Sequence, residues 1–369
     1  MPNNKKVLIC SNYCWTIFNF RLNLAKKLKS EGYEVYLFTK KDNYSKYVDS
    51  FFTKSFNLNI DLNGNSPIRE LVTLFNIIYV LIRLRPNYFL TFTIKPNLYG
   101  MIASLLTATK VIPNITGLGS IESQQGIIPS VTRYLYRSIA VFSHYVFFQN
   151  KDDMDNFSLK TLNSEIKQRV LPGSGVDLQK FKPQNEKNNQ KLIKFIFLGR
   201  LLKKKGIIEY IHSARLISKK YNSVKFFVLG FLDSENDSCI SYDELQPYIE
   251  DFSIVYLGTT DNVELVLPNY DCVVFPSYYF EGTPRSLIEA AACGVPIITT
   301  DSRGCKDVVD DNINGLICKS QDINSLIEKL DEFINLDHET RIEMGINSRN
   351  KALKVFDENI VISEYLKIL

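Results

Sequence analysis

The sequence predicts an α/β protein built from two doubly wound, Rossmann-like domains. Three observations carry this: short apolar strands alternate with amphipathic helical stretches, a polar segment at 181–191 holds almost nothing to bury, and the alternation restarts after it. With 369 residues, 45% of them apolar and 23% charged, the chain is long enough for two cores.

In chain order, "KVLICS" reads as a strand, "FRLNLAKKLKSEG" as a helix ended by Gly32, "EVYLFT" as a strand, "PIRELVTLFNIIYVLIRLR" as a helix and "YFLTFT" as a strand. "NLYGMIASLLTA" follows as a helix, "KVIPNIT" as a strand, "VTRYLYRSIAVFS" as a helix and "YVFFQN" as a strand. Beyond the linker come "IKFIFLG", a helix over 207–220, "VKFFVLG", a helix near 243–250, "SIVYLG", a short helix near 262–268, "CVVFPS", a helix over 284–293, "VPIITT" and "GLIC". The expected domains are 1–183, a linker at 184–192, and 193–355. The amphipathic segment 356–369 is expected to return to the first domain as a helix. Two such domains in series are expected to face each other across a cleft, since open parallel sheets bind ligands at their strand C-termini.

The net charge of +4 is small, and Lys and Arg gather early, in "KKVLIC", "LAKKLKS", "FTKKDNYSK" and "IRLRP". That suits an anionic small molecule or a membrane surface; a nucleic-acid track would need a stripe of stacking aromatic and basic residues, which is missing. Seven scattered cysteines without paired metal spacing read as reduced thiols and no metal site. The N-terminus enters a strand directly and does not read as a signal peptide, so a cytoplasmic protein is expected. The two most apolar stretches, "LVTLFNIIYVLI" and "LYGMIASLLTAT", fall short of the roughly 18 to 20 residues a spanning helix needs.

The chemistry concentrates in "FPSYYFEGTPRSLIEAAACGVPIITT". Pro284 fits the first helical position with Thr283 as N-cap, so the N–H groups of Arg285, Ser286 and Leu287 are expected to point out of the helix start as a phosphate seat. Glu289, one turn below, can accept from a ribose diol. Glu281, in the loop, can reach a sugar on the far phosphate. In "FIFLGRLLKKKGIIEYI" a strand ends at Gly199. Arg200 can grip a diphosphate in bidentate fashion, and Lys205 can act as a point charge. Each feature alone has a plain structural reading, as a dipole partner or a solvated face; together they favour a nucleoside-diphosphate ligand. His144, His212 and His338 stand at positions that read as structural or solvated. A glycosidase would need two carboxyls about 5 to 9.5 Å apart across the bond, which this spacing does not promise.

"GRLLKKKG", "FPSYYFEGTPRSLIEAAACGVPIITTD" and "GLIC" resemble the C-terminal domain of glycosyltransferase family 4, whose hallmark of Glu, seven residues, Glu fits Glu281 to Glu289. "LPGSGVDLQKF" is similar to the segment closing that family's first domain. "FNFRLNLAKKLK", "TFTIKPNLYG" and "NITGLGS" are similar to the branch building capsule, O-antigen and N-glycan precursors on polyprenyl diphosphate. The resemblance implies the GT-B fold and retaining, metal-independent transfer of a hexose or N-acetylhexosamine from a UDP-sugar to a polyprenyl-diphosphate-linked saccharide. It implies Arg200 and Lys205 as diphosphate ligands, Glu289 on the ribose, Glu281 on the donor sugar, and the backbone from Gly282 through Thr283, Pro284, Arg285 and Ser286 to Leu287 around sugar and phosphates. Two departures stand out: "SNYCWTIFNFR" replaces paired glycines after the first strand, and Ile94 replaces a histidine. Arg21, Lys95, Asn97 and the loop of Thr116, Gly117, Gly119 and Ser120 are the first-domain candidates to take over. A retaining enzyme of this kind implies that the leaving diphosphate takes the acceptor proton, so cations matter more than a base. A UDP-sugar epimerase or a non-catalytic nucleotide-sugar-binding module are the competing readings. A lipid acceptor implies a peripheral protein on the inner face of the cytoplasmic membrane. "VTRYLYRSIAVFSHYVFF" is the candidate contact, with Val131, Leu135, Ile139 and Phe142 at helical spacing and Arg133 and Arg137 four apart; packing on the sheet would give the same period.

Overall fold

Residues 5–61, 66–119, 127–184, 192–233 and 238–369 are described by the computed structural model, without the side chains of 127–129 and 160. Most of the expected linker, 185–191, and Ser120 lie outside the described residues. The chain divides into one unit of residues 1–174 with 359–369 and another of 175–358, which places 175–183 with the second unit.

In the first unit the order is β1 (Lys6–Tyr13), α1 (Cys14–Phe20), α2 (Leu22–Ser30), β2 (Glu34–Lys40), α3 (Ser45–Val48), β3 (Lys54–Asn57), α4 (Pro67–Leu84), β4 (Tyr88–Phe92) and α5 (Ile94–Thr107). It continues with β5 (Lys110–Ile115), α6 (Ile127–Ala140), β6 (Val146–Phe148), α7 (Lys151–Phe157) and β7 (Gln168–Val170). The strands form one parallel sheet in the order β3-β2-β1-β4-β5-β6-β7. Strand residues alternate between two cores: Leu8, Cys10, Phe38 and Phe89 pack with residues of α4, α5 and α6, and Val7, Ile9, Leu37 and Leu90 with residues of α1 and α2. Burial on both faces is why these strands read as unbroken apolar runs.

The second unit runs β8 (Ile193–Leu198), α8 (Ile207–Lys220), β9 (Val224–Leu229), α9 (Tyr242–Glu250), β10 (Val255–Tyr256), α10 (Val263–Val266), β11 (Cys272–Phe275) and α11 (Arg285–Ala292). It ends with β12 (Ile297–Thr300), β13 (Gly315–Cys318), α12 (Ile323–Asn335) and α13 (His338–Lys351). Its parallel sheet has the order β10-β9-β8-β11-β12-β13. The last helix, α14 (Glu358–Leu366), groups with the first unit from Asn359 on. Tyr365 is buried there against Phe147, with ring centroids 4.7 Å apart, and accepts a hydrogen bond from Asn114 Nδ2 at 2.8 Å.

In each sheet the strand order reverses once, between β1 and β4 and between β8 and β11. Loops leaving the C-terminal ends of such a strand pair diverge to opposite faces and leave a crevice, the place where open α/β sheets take ligands.

Candidate functional site

At the β8/β11 reversal, four backbone segments meet so closely that glycine is required at their contacts. Gly206, at φ +81°, ends the turn after β8; a Cβ there would lie 2.2 Å from Pro276 O, just beyond β11. Tyr278 N–H donates to Lys204 O at 3.0 Å across the same contact. A Cβ on Gly304, at φ +74° in the loop after β12, would lie 1.9 Å from Gly282 O. Thr300 Oγ1 also donates to Ser277 O. The loop carrying Glu281 and Gly282 is thus held from both sides.

This packing brings together residues 76 apart in sequence: Lys205 Nζ lies 2.9 Å from Glu281 Oε1, and both side chains keep only about 15% of their exposure (15% and 14%). Lys205 also stands 5.5 Å from the Phe275 ring centroid. Arg200, immediately after Gly199 at the end of β8, is exposed, with only a 3.9 Å approach to Asp233 Oδ2. Burial and the Glu281 carboxylate push the nearby Cys305 thiol up, keeping it neutral.

Helix α11 starts one residue later than the sequence suggests. Pro284 is its N-cap, with extended backbone (φ −60°, ψ 122°), so Thr283 is not the cap and Pro284 not the first helical residue. The fixed φ of proline suits either position, which is why the sequence did not separate them. A second correction concerns Leu287: its N–H donates to Pro284 O at 3.1 Å, closing a tight first turn, and so drops out of the expected phosphate seat. Arg285 and Ser286 head the helix, where the positive end of its dipole lies.

One turn on, Arg285 Nε donates to Glu289 Oε1 at 2.7 Å, with both side chains mostly buried. Arg285 Nη1 also donates to Gly175 O. Burial raises the Glu289 carboxyl above its ordinary range, opposed by Arg285 and by Lys180, itself 3.4 Å from Glu264. A carboxylate has about four acceptor positions, so pairing with Arg285 leaves Glu289 capacity for a diol. Two cations, a helix start and two carboxylates on either side of it make an arrangement suited to a diphosphate with hydroxyl-bearing groups at both ends.

The first-unit candidates are not gathered in the same way. Arg21 is buried between α1 and α2, its guanidinium 4.4 Å from the Phe92 ring centroid at the end of β4. Lys95 Nζ is held by Glu70 Oε1 and by Asp61 O at 2.6 Å. Asn97 is buried and turned inward, donating to Asn114 O at 2.8 Å and Tyr136 Oη at 2.9 Å. Thr116 and Gly117 (φ +121°) open the loop after β5, and Gly119 follows, buried, behind Leu118. At the β1/β4 reversal itself stands Thr93, at φ +71° and ψ 160°, donating from Oγ1 to Asn12 Oδ1 at 2.8 Å. That backbone region is nearly reserved for glycine.

Sequence reasoning missed Gly304 and Gly230. A Cβ on Gly230 would lie 1.8 Å from Gly199 O, so the exits of β8 and β9 touch as well. Isolated glycines just after strands, in "VLGF" and "TTDSRG", are the signal that could have found them.

Two parallel doubly wound units with this motif at the second reversal define the GT-B class, and the comparisons agree. Residues 179–351 match the family described as glycosyl transferases group 1, and residues 6–150 the one described as glycosyl transferase 4-like. The chain belongs to this glycosyltransferase family, in the family 4 branch. It is 29% identical over 372 residues to the N,N'-diacetylbacillosaminyl-diphospho-undecaprenol alpha-1,3-N-acetylgalactosaminyltransferase of Campylobacter jejuni, covering 96% of this chain and 95% of that one. It is 30% identical over 295 residues to the capsular polysaccharide biosynthesis glycosyltransferase CapM of Staphylococcus aureus (74% and 73% covered). To the UDP-Gal:alpha-D-GlcNAc-diphosphoundecaprenol alpha-1,3-galactosyltransferase of Escherichia coli it is 24% identical over 353 residues (89% and 87%). The fold is shared with sucrose-phosphate synthase from Thermosynechococcus elongatus, at a TM-score of 0.80 and 16% identity over 99% of this chain and 98% of that one.

Proposed function

We propose that this glycosyltransferase moves a hexose or N-acetylhexosamine from a UDP-sugar to a saccharide on a polyprenyl-diphosphate lipid in bacterial surface-glycan synthesis, with retention and without a metal ion. The observation that carries the reading is the Lys205–Glu281 pair at 2.9 Å, which joins a cation suited to the leaving diphosphate to a carboxylate suited to the donor sugar. The relatives named for transfer to diphospho-undecaprenol sugars support the acceptor class, and the one named for UDP-Gal supports the donor.

In this reading Glu289 accepts from the ribose, the α11 start and Arg200 hold the phosphates, and Lys205 stands at the β-phosphate. The bond from the sugar C1 to the β-phosphate oxygen breaks with its electron pair going to the diphosphate. Arg200, Lys205 and the helix dipole stabilise that charge as it grows. The acceptor hydroxyl attacks C1 on the face the diphosphate leaves, and its proton passes to a β-phosphate oxygen. No side-chain base is needed, and two cations with a helix start supply the charge a divalent ion would otherwise bring. Because a polyprenyl lipid stays in its bilayer, the protein works peripherally at the cytoplasmic face of the membrane.

The test is a screen of UDP-sugars and GDP-sugars against polyprenyl-diphosphate saccharides, read by mass spectrometry. A gain of one sugar residue on the lipid with a UDP donor is the expected result. Interconversion of the donor without acceptor would make the protein an epimerase, and binding without turnover a nucleotide-sugar module.

A further inference from the structure

Helix α4 is apolar on both of its faces. Thr73, Ile77, Val80, Leu81 and Leu84 are buried toward the sheet, while Ile68 (74% exposed), Leu71, Val72, Phe75 (64%), Tyr79 and Ile82 (58%) form a second stripe open to solvent. Their spacing keeps them on one line along about 21 Å of helix. A helix hydrophobic all round is normally covered, and an exposed apolar surface of this extent marks a binding face.

The stripe continues onto its neighbours. Helices α4, α5 and α6 share one core on one face of the sheet, and their outer sides add Leu105 and Leu106, then Val131, Tyr134 and Leu135, with Phe142 just beyond. These three helices, of 18, 14 and 14 residues, contain a single acidic residue, Glu70. Glu70 is covered, accepting from Lys95 and from Tyr99 Oη at 2.7 Å. Arg69 and Arg83 are exposed on α4, and Arg85 is exposed at its C-terminal cap. Asp61, which pairs with Arg69 at 2.8 Å, keeps 18% exposure.

We infer that the outer face of α4, extended by α5 and α6, docks flat onto an anionic lipid bilayer. Apolar side chains enter the acyl boundary, the arginines meet phosphate headgroups, and the absence of exposed acid on these helices removes the repulsion an anionic surface would otherwise produce. Since α4 packs along the sheet and no described helix is long and apolar enough to cross a membrane, the contact lies in the plane of the interface. This deepens the proposed function, which needs a lipid acceptor, by naming the face that meets the bilayer.

The test is co-sedimentation with vesicles of phosphatidylglycerol and phosphatidylcholine at low and high salt, for the wild type, Phe75→Glu/Ile82→Glu and Phe252→Glu, whose side chain is exposed in the second unit. We expect the double variant to lose binding at least tenfold, Phe252→Glu to bind as the wild type does, and salt to weaken the wild type. Transfer to a short-chain, water-soluble acceptor should be unchanged in the double variant while transfer to long-chain acceptor in vesicles falls. Equal sedimentation of the double variant and wild type overturns the proposal, as does a wild type that ignores the vesicles. A wild-type dimer in ultracentrifugation that the double variant dissolves would assign the face to a second copy and also overturn it. Vesicle binding lost in the double variant, with no acceptor lipid glycosylated by the wild type, would leave the docking face standing and sink the acceptor assignment.

Discussion

Gly304→Ala tests whether the loop bearing Glu281 is positioned by the backbone behind it. The added Cβ would stand 1.9 Å from Gly282 O and 2.9 Å from Glu281 O, where side-chain carbons keep at least 3.0 Å, so Gly282 O must retreat by about 1.1 Å. The residue also sits at φ +74°, which costs an alanine roughly 1–2 kcal/mol. For a unit of this size that lowers the melting temperature by about 2–8 °C, leaving a folded protein. The functional cost is larger: a displacement near 1 Å beside Glu281, the proposed donor-sugar contact, is expected to reduce turnover about 100-fold. UDP affinity should fall far less than turnover, because the Arg285–Glu289 pair lies beyond the displaced carbonyl. Turnover by saturating donor, UDP calorimetry and a melting curve together make the assay. A folded Gly304→Ala protein turning over within twofold of the wild type would refute the claim that this approach sets the geometry of Glu281.

Four further outcomes follow from the same geometry. Lys205→Ala and Arg200→Ala should each slow transfer by about 3 kcal/mol, with Lys205→Ala the worse because it also releases buried Glu281; rates measured at saturating donor check this, and wild-type rates would remove both residues from the mechanism. Glu289→Ala should weaken UDP binding in calorimetry, while Glu281→Ala should spare UDP and damage transfer; equal losses of UDP affinity would contradict the two roles. EDTA should leave the rate nearly unchanged, and a complete loss restored by manganese or magnesium would contradict metal independence. Burial and the charges of Lys110 and Lys167 hold the His144 imidazole below its ordinary pKa. The folded state therefore favours the neutral ring, and this contribution to stability, present above the ordinary pKa of about 6.5, is lost as pH falls below it. Melting curves between about pH 5 and 7.5 should show less acid destabilisation in His144→Gln than in the wild type.

The central strands were legible because parallel strands buried on both faces leave unbroken apolar runs such as "KVLIC" and "CVVF". The short edge strand β3 reads "KSFN" and has no buried residue, so nothing in its pattern announced it. Helix α1, "CWTIFNF", is dense in aromatic and β-branched residues of poor helix propensity; it forms because Cys14 and Ile17 bury against the sheet. At the site, the sequence placed Glu281 and Lys205 in separate roles, and only the close backbone contacts of Gly206 and Gly304 explain why they meet. Local spacing carried the α11 start to within one residue. It could not show that Asn97 turns inward to Asn114 and Tyr136, or that Lys95 is held by Glu70, since both depend on partners remote in the chain.

In the proposed reaction the diphosphate leaves and the acceptor arrives on the same face of the donor sugar, with Lys205 and Arg200 taking the charge and no side-chain base. Proton NMR of the purified glycolipid product reports the configuration at the newly bonded C1 directly. C1 should keep the configuration that it had in the UDP-sugar. An inverted C1 would require attack from the opposite face with a base to activate the acceptor, and would contradict the proposed reaction.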